Sequence, residues 1–183
     1  MSRIELINLE AAHNDVAPLL DQVRSAFGVV PNMFRAVANS PAALTSMWAS
    51  FGALGKGTLD ARLGEQIAVA IADVNNCAYC LAAHTALGRK AGATAQEMSA
   101  AQAGQSPDPK TAAALRFATS VVAQRARIAS SDVEALRAAG FNDGEIMEIM
   151  AHVALNLFTN YVNVAFDVPL DFPQVELRAQ RAK

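Results

Sequence analysis

The sequence has only two cysteines, Cys77 and Cys80, which lie three positions apart. A framework of structural disulfides needs cysteines dispersed along the chain, so this pattern excludes the small disulfide-stapled class of secreted proteins. The chain has 183 residues and is 52% hydrophobic, which is enough to build a core without such cross-links. The closeness of the two thiols indicates chemistry instead.

Long apolar runs and a surplus of positive charge are also missing. The most apolar stretches, 67–74 and 153–158, are bordered by polar residues and fall short of the roughly 20 apolar residues of a membrane span. The formal net charge of -2 offers no basic surface to nucleic acid or anionic membranes. The first ten residues mix charged with aliphatic side chains, unlike a secretion signal. We therefore expect a cytoplasmic protein with neither a nucleic-acid nor a membrane partner.

Alternating β-branched runs are scarce, whereas apolar residues recur at spacings of three and four and alanine is abundant. This pattern predicts an all-α fold. The only Gly/Ser/Pro-rich break, 104–110, is too short to separate domains, so we expect 1–183 to form a single domain. Start and stop signals predict about eight helices, the segment 32–39 being one or two turns at most. The predicted segments are 14–27, 32–39, 41–55, 60–75, 77–91, 94–103, 109–127, 131–139 and 143–166.

Several of these helix ends carry a recognisable capping pattern. A polar residue before a proline, a reciprocal capping box, or a glycine after the last turn each satisfies backbone groups that a helix end leaves unpaired. The patterns are Ser40-Pro41 and Asp108-Pro109, Thr94 with Glu97 and Ser131 with Glu134, and Gly92 and Gly140.

The two cysteines open the stretch CAYCLAAHTALGRKAG, for which we predict a helix that starts at Cys77 and is capped by Asn75 or Asn76. At 100° per residue, Cys80 lies about 60° and His84 about 20° from the first cysteine around the helix. All three side chains are therefore expected on one face.

This arrangement suits thiol chemistry, because the thiolate is the nucleophile and a free thiol has a pKa near 8.5. Backbone N–H groups at the helix start and the imidazole of His84 are both expected to lower the pKa of the attacking thiol. One thiol then attacks an oxidant to become a sulfenic acid, and the other condenses with it to a disulfide. The residues alone leave open which cysteine attacks, since Cys77 is nearer the helix start and Cys80 is nearer His84.

Glu65 lies twelve residues before the first cysteine, in a predicted helix with a buried apolar face. A carboxylate in that setting is a natural partner that orients His84 or relays its proton to water.

Glu65, the CAYC motif that begins at Cys77, and His84 together resemble the E-x11-C-x-x-C-x-x-x-H signature of the AhpD-like alkylhydroperoxidases, within the carboxymuconolactone decarboxylase superfamily. The match covers about 60–95, and the chain length and long last helix resemble the branch of peroxidase-related enzymes. The resemblance implies an AhpD-like multi-helix bundle that assembles into homotrimers or homohexamers. It also implies reduction of alkyl hydroperoxides or hydrogen peroxide with neither metal nor flavin.

The same resemblance implies roles for the matching residues. Cys80 attacks the peroxide, Cys77 resolves the intermediate, and His84 with Glu65 relays protons. An external thiol reductant, a lipoyl-bearing protein in the better-known relatives, closes the cycle. The sequence departs from several relatives at Tyr79, where they have a relay histidine. Tyrosine, with a pKa near 10, is a poor base at neutral pH and cannot take over that role directly.

A candidate replacement lies in the last predicted helix, where His152, Asn156, Asn160 and Asn163 follow one another at spacings of four, four and three. They span about 80° of an otherwise apolar helix. We predict that this polar stripe lines the thiol pocket or a nearby subunit interface. In this hypothesis His152 is an additional base, and Asn156 and Tyr79 support the reacting groups.

Four other interpretations remain open. The cysteines can be plain buried side chains, or zinc ligands together with His84 and Glu65, although zinc ligands seldom crowd on one helix face. A lactone decarboxylase of the same superfamily would need no cysteine pair. A non-enzymatic redox sensor would use the dithiol only to switch its oligomeric state.

Overall fold

A computed structural model describes residues 2–178, and this part of the chain is all-helical, as predicted, with no β-strand. A short 3-10 helix at Leu9–Ala11 precedes nine α-helices. They are α1 (Ala17–Phe27), α2 (Asn32–Val37), α3 (Pro41–Leu54), α4 (Ala61–Val74), α5 (Ala78–Lys90), α6 (Ala95–Gln102), α7 (Pro109–Ala123), α8 (Ser130–Ala138) and α9 (Asp143–Ala165).

Each predicted segment corresponds to one of these helices, and the largest error at a C-terminal end is in α7. This helix was predicted to reach residue 127 but ends at Ala123. Arg125 and Ala126 have φ angles of 52° and 62°, which are left-handed and incompatible with a continuing α-helix. Neither is a glycine, so no stop signal marks this helix end in the sequence.

The capping predictions are confirmed at most positions. The side chains of Ser40 and Asp108 accept backbone hydrogen bonds, and Thr94 and Glu97 form a reciprocal box. Gly92 and Gly140 have φ angles of 96° and 90°, as expected of residues that end helices. The box predicted for Ser131 and Glu134 is wrong. α8 begins one residue earlier, and Asp132 accepts the N–H of Ala129 at 2.8 Å instead.

The core is built around α4, which packs against α5, α6, α7 and α9. Its Ile67, Val69 and Ile71 are fully buried, as the apolar period of this segment predicted. Because α5 and α9 both lie against α4, side chains from the three helices meet in one interior region. That region contains the cysteines, Glu65 and the polar stripe of α9.

After α9 the chain runs without regular structure from 168 to 177 and passes back across α2 and α5; we call this segment the C-terminal strap. The carboxylate of Asp171 accepts the N–H of Asn32 at 2.7 Å, and the side-chain amide of Asn32 donates to the carbonyl of Pro169 at 3.1 Å. Leu177 is buried near the far end of the strap. Among the helices of residues 2–178, none has the length and apolar character that a membrane crossing requires.

Candidate active site

Cys77 is the N-cap of α5 and lies outside the helix. Its φ and ψ of -91° and 90° are not helical, and its Sγ accepts the backbone N–H of Cys80 at 3.3 Å. The predicted helix start at Cys77 and the predicted cap at Asn75 or Asn76 are therefore wrong. Asn75 caps the end of α4, and Asn76 forms the turn with a φ of 53°. The sulfur thus occupies the position of an ordinary capping oxygen.

Both cysteines are unpaired and buried, and their pKa values are shifted in opposite directions. The hydrogen bond from the Cys80 thiol, together with backbone N–H groups, lowers the pKa of Cys77. Burial, followed by the interaction with Cys77, raises the pKa of Cys80 well above its usual value. The hydrogen bond from the Cys80 thiol, aided by the backbone N–H groups of the helix start, therefore makes Cys77 the more acidic thiol of the pair, so Cys77 ionises before Cys80.

This division of charge predicts the titration of the reduced protein. Ultraviolet absorbance should show one thiolate forming below the ordinary thiol pKa of 9.0 and the second well above it. In the Cys77→Ser variant the low step should vanish, because only the buried Cys80 remains. A low step that survives this substitution would mean that the charge belongs to Cys80.

A cavity of about 30 Å³ adjoins the second cysteine. Cys80 lines this cavity and Cys77 does not. His84 and a mostly apolar wall complete the lining. The cavity has room for a molecule the size of water or hydrogen peroxide. The other lining residues are Phe27, Pro31, Met33, Phe34, Phe51, Tyr79, Ala83, Leu87, Thr159 and Phe172.

His84 and Glu65 face each other across the contact of α5 with α4. His84 Nδ1 and Glu65 Oε2 are 2.7 Å apart, with side-chain exposures of 13% and 24%. This bond fixes the imidazole plane and leaves Nε2 to exchange a proton. The sequence predicted this pair, and the structure brings it together beside Cys80.

A second cavity, of about 210 Å³, lies on the far side of this pair and is lined by Glu65, His84, His152 and Asn156, among others. Burial lowers the pKa of His152, which holds this histidine neutral at physiological pH. The half of the stripe formed by His152 and Asn156 thus lies beside the carboxylate and imidazole. These two side chains make the cavity next to Glu65 and His84 polar on one side.

The other half of the polar stripe lies against the dithiol. Asn163 Nδ2 donates to Cys80 Sγ at 3.1 Å, and Asn160 Oδ1 accepts from Asn75 Nδ2 at 3.0 Å. Both asparagines are buried. The stripe predicted from helical spacing therefore lies beside both the Cys80 thiol and the pair of Glu65 and His84.

The hydrogen bonds of the Tyr79 hydroxyl go to α2 and to the strap, rather than to Glu65 or His84. The hydroxyl accepts the N–H of Met33 at 3.2 Å and is hydrogen-bonded to Asp171 of the strap. Burial raises the pKa of the phenol above its usual value. Its ring packs edge-on against Phe172 at 5.7 Å between centroids. Tyr79 consequently ties α5 to α2 and to the C-terminal strap.

Sequence reasoning missed two residues near the thiols, Asp171 and Phe172. They lie in the proline-containing stretch DVPLDFP, whose apolar residues were the one available signal. No pattern in a segment without regular structure indicates where it packs.

Within residues 2–178, no three His, Cys, Asp or Glu side chains come together in a group able to hold a metal ion.

Comparisons with known proteins give a family match and similar solved structures for this chain. A profile of the carboxymuconolactone decarboxylase family matches residues 41–119, the part that contains Glu65, both cysteines and His84. An uncharacterised peroxidase-related protein from Ralstonia eutropha JMP134, described as an alkylhydroperoxidase AhpD core, is similar with 27% identity and a TM-score of 0.85 over 93% of this chain and 92% of that one. A comparison with curated proteins gave no match.

Two further solved structures share the fold. A peroxidase-related protein from Silicibacter sp. TM1040 is 26% identical with a TM-score of 0.82, over 92% of this chain and 91% of that one. The debrominase Bmp8, as its C82A variant in complex with 2,3,4-tribromopyrrole, has a TM-score of 0.80 at 20% identity, over 100% and 97% of the two chains. At that identity the similarity describes the fold alone.

Proposed function

Because this chain belongs to the carboxymuconolactone decarboxylase superfamily and is AhpD-like, we propose that it is a thiol peroxidase that reduces hydrogen peroxide or small alkyl hydroperoxides. One observation carries the proposal. Cys80 lines a cavity together with His84, whose ring is held by Glu65, and the sulfur of the second cysteine accepts the backbone N–H of Cys80. This arrangement supplies a nucleophile, a base, an orienting carboxylate and a resolving thiol.

The first step is attack by Cys80 on one peroxide oxygen. As the peroxide enters, the thiol gives its proton to His84, the sulfur–oxygen bond forms and the oxygen–oxygen bond breaks. Cys80 becomes a sulfenic acid, and the leaving alkoxide or hydroxide takes a proton from the imidazolium. Glu65 stabilises the transient positive charge on His84.

The second step is attack by Cys77 on the sulfenic sulfur. A disulfide forms, and hydroxide leaves and is protonated to water. The lowered pKa of Cys77 suits this role, because the resolving group must attack as a thiolate. The cavity supports Cys80 as attacker, and the lowered pKa supports Cys77 as resolver. The expectation that the attacking thiol has a lowered pKa is wrong for Cys80, because burial raises it, so this thiol needs His84 to remove its proton.

The cycle needs an external dithiol to reduce the disulfide, and we propose that a lipoyl-bearing protein supplies it in the cytoplasm.

We also propose a homo-oligomer, a trimer or hexamer. An exposed apolar row on α9 supports this assembly, because monomers rarely leave such a row in water. The row consists of Met147, Phe158, Tyr161 and Val164, which are 66%, 40%, 59% and 47% exposed.

Thiol counting tests the peroxidase proposal. After one equivalent of hydrogen peroxide, the reduced protein should lose both thiols. The Cys80→Ser variant should keep its remaining thiol, and the Cys77→Ser variant should form a sulfenic acid that a dimedone probe labels. A wild-type protein that keeps both thiols would overturn the proposal, and continued turnover with a dithiol reductant would separate an enzyme from a sensor.

A second candidate function is reductive dehalogenation of a small aromatic compound. Aromatic rings from Phe27, Phe34, Phe51 and Phe172 surround Cys80, and one protein with this fold is a debrominase. Two thiols would convert an aryl bromide to the arene, a disulfide, bromide and a proton. Bromide release from 2,3,4-tribromopyrrole would support this function, while the small cavity favours a peroxide.

A further inference from the structure

Asn160 and Asn163 each have one buried polar atom without a partner. Within the described part of the chain, Asn160 Nδ2 and Asn163 Oδ1 make no hydrogen bond, although the residues are only 0% and 4% exposed. Folded proteins pair nearly all such atoms, so an unpaired donor and an unpaired acceptor in neighbouring side chains require an explanation. Protein structure alone does not provide one.

Both atoms belong to amides that adjoin the Cys80 sulfur. Asn163 contacts this sulfur through its other amide atom, Nδ2, at 3.1 Å. Asn160 interacts with the same thiol and lowers the pKa of Cys80; because its oxygen is held by Asn75 at 3.0 Å, the atom that faces the sulfur is Nδ2. Apart from this sulfur, a weak acceptor, Nδ2 has no partner, and Asn163 Oδ1 has none at all within residues 2–178. A stronger acceptor and a donor on the Cys80 sulfur would satisfy both amides.

The oxidised form of Cys80 has the complementary groups. A thiol offers only weak hydrogen bonds, whereas a sulfenic acid adds an oxygen that accepts and an O–H that donates. We propose that Asn160 and Asn163 hold the Cys80 sulfenic acid, with Asn160 Nδ2 donating to its oxygen and Asn163 Oδ1 accepting its O–H. This inference rests on the proposed function, because it assigns a site to that reaction's intermediate.

Holding the intermediate has a chemical consequence. The sulfenic acid either reacts with the Cys77 thiolate, giving the disulfide and hydroxide, or loses its proton and reacts with a second peroxide to give a sulfinic acid. A hydrogen bond from the O–H to Asn163 keeps the group protonated and its oxygen turned toward α9. Both effects favour attack by Cys77 on the sulfur.

The experiment measures how oxidised Cys80 divides between disulfide and sulfinic acid. Asn160→Leu and Asn163→Leu remove the donor and the acceptor at similar side-chain volume. After treatment with excess hydrogen peroxide, intact mass should show the ratio of sulfinic acid to disulfide raised about tenfold in each variant, as expected when one hydrogen bond is lost. This ratio does not depend on how fast the sulfenic acid first forms.

Gln102→Leu is the matched control. Gln102 is also 4% exposed, but it lies in α6, where its amide donates to Asp73 Oδ1 at 2.8 Å and to the carbonyl of Glu176 at 2.9 Å. Its ratio should equal that of the wild type. Equal ratios in all three variants would overturn the inference, whereas a wild-type protein that forms neither product would overturn the peroxidase proposal instead.

Discussion

Replacing His84 with glutamine should lower the rate of peroxide-driven disulfide formation by about 10²–10⁴-fold, the usual contribution of a positioned general base. The effect is large because burial raises the pKa of Cys80, so this thiol does not ionise by itself at neutral pH. Glutamine can still donate to Glu65 Oε2, which keeps the contact of α4 with α5. Stopped-flow measurement of thiol loss under excess peroxide gives the rate.

The pH dependence distinguishes loss of the base from loss of structure. In the His84→Gln variant the rate should keep rising with pH to values well above the usual thiol pKa, because Cys80, whose pKa burial raises, must then ionise without a neighbouring base. His13, whose side chain is 78% exposed, is the control, and His13→Gln should leave the rate unchanged. A His84→Gln rate equal to that of the wild type would refute the assigned role.

Replacing Phe34 with alanine should lower the free energy of unfolding by about 3–5 kcal/mol, the range for removing a buried aromatic side chain. Phe34 is 2% exposed, and its ring centroid lies 5.6 Å from that of Phe27, 5.8 Å from Trp48 and 6.0 Å from Phe51. Alanine would leave this cluster without its centre. Urea unfolding followed by helical circular dichroism measures the loss.

The same substitution should also widen the cavity beside Cys80, because Phe34 forms part of its wall. The rate with cumene hydroperoxide should then rise relative to the rate with hydrogen peroxide, because the wider cavity admits the larger substrate. Leu115→Ala is the matched control, since Leu115 is 0% exposed in α7 and does not line that cavity. It should cost about 2–5 kcal/mol of stability and leave the preference between the two peroxides unchanged. An equal shift in preference would mean that general loosening is the cause.

Much of the fold followed from local sequence signals. Helix caps at Ser40, Thr94 and Asp108 depend on residues three positions apart, and the polar stripe of α9 depends on a helical period. Such patterns are complete within one segment of chain, so sequence reasoning reaches them. The pairing of Glu65 with His84 followed in addition from the resemblance of the motif.

The rest depends on packing that no local pattern contains. The opposite pKa shifts arise from the hydrogen bond between the two thiols, which lowers the pKa of Cys77, and from burial, which raises the pKa of Cys80. The helix cap is made by sulfur, a poor acceptor that capping rules omit. The structural role of Tyr79 depends on its hydrogen bonds to Met33 and Asp171, which are distant along the chain. Burial and long-range contacts decide these properties, and neither can be read from spacing.

The C-terminal strap bears on how two thiols that are 1% and 2% exposed can meet a protein reductant. Near the dithiol the strap is held by hydrogen bonds from Asn32 to Asp171 and Pro169, by the hydrogen bond between Asp171 and Tyr79, and by the ring contact of Phe172 with Tyr79. Segments secured by so few contacts open locally at a small fraction of the cost of global unfolding. Transient release of this chain end would uncover the disulfide while the helices stay packed. Electron delivery would then be timed by a local fluctuation, and its rate would follow the opening equilibrium of the strap.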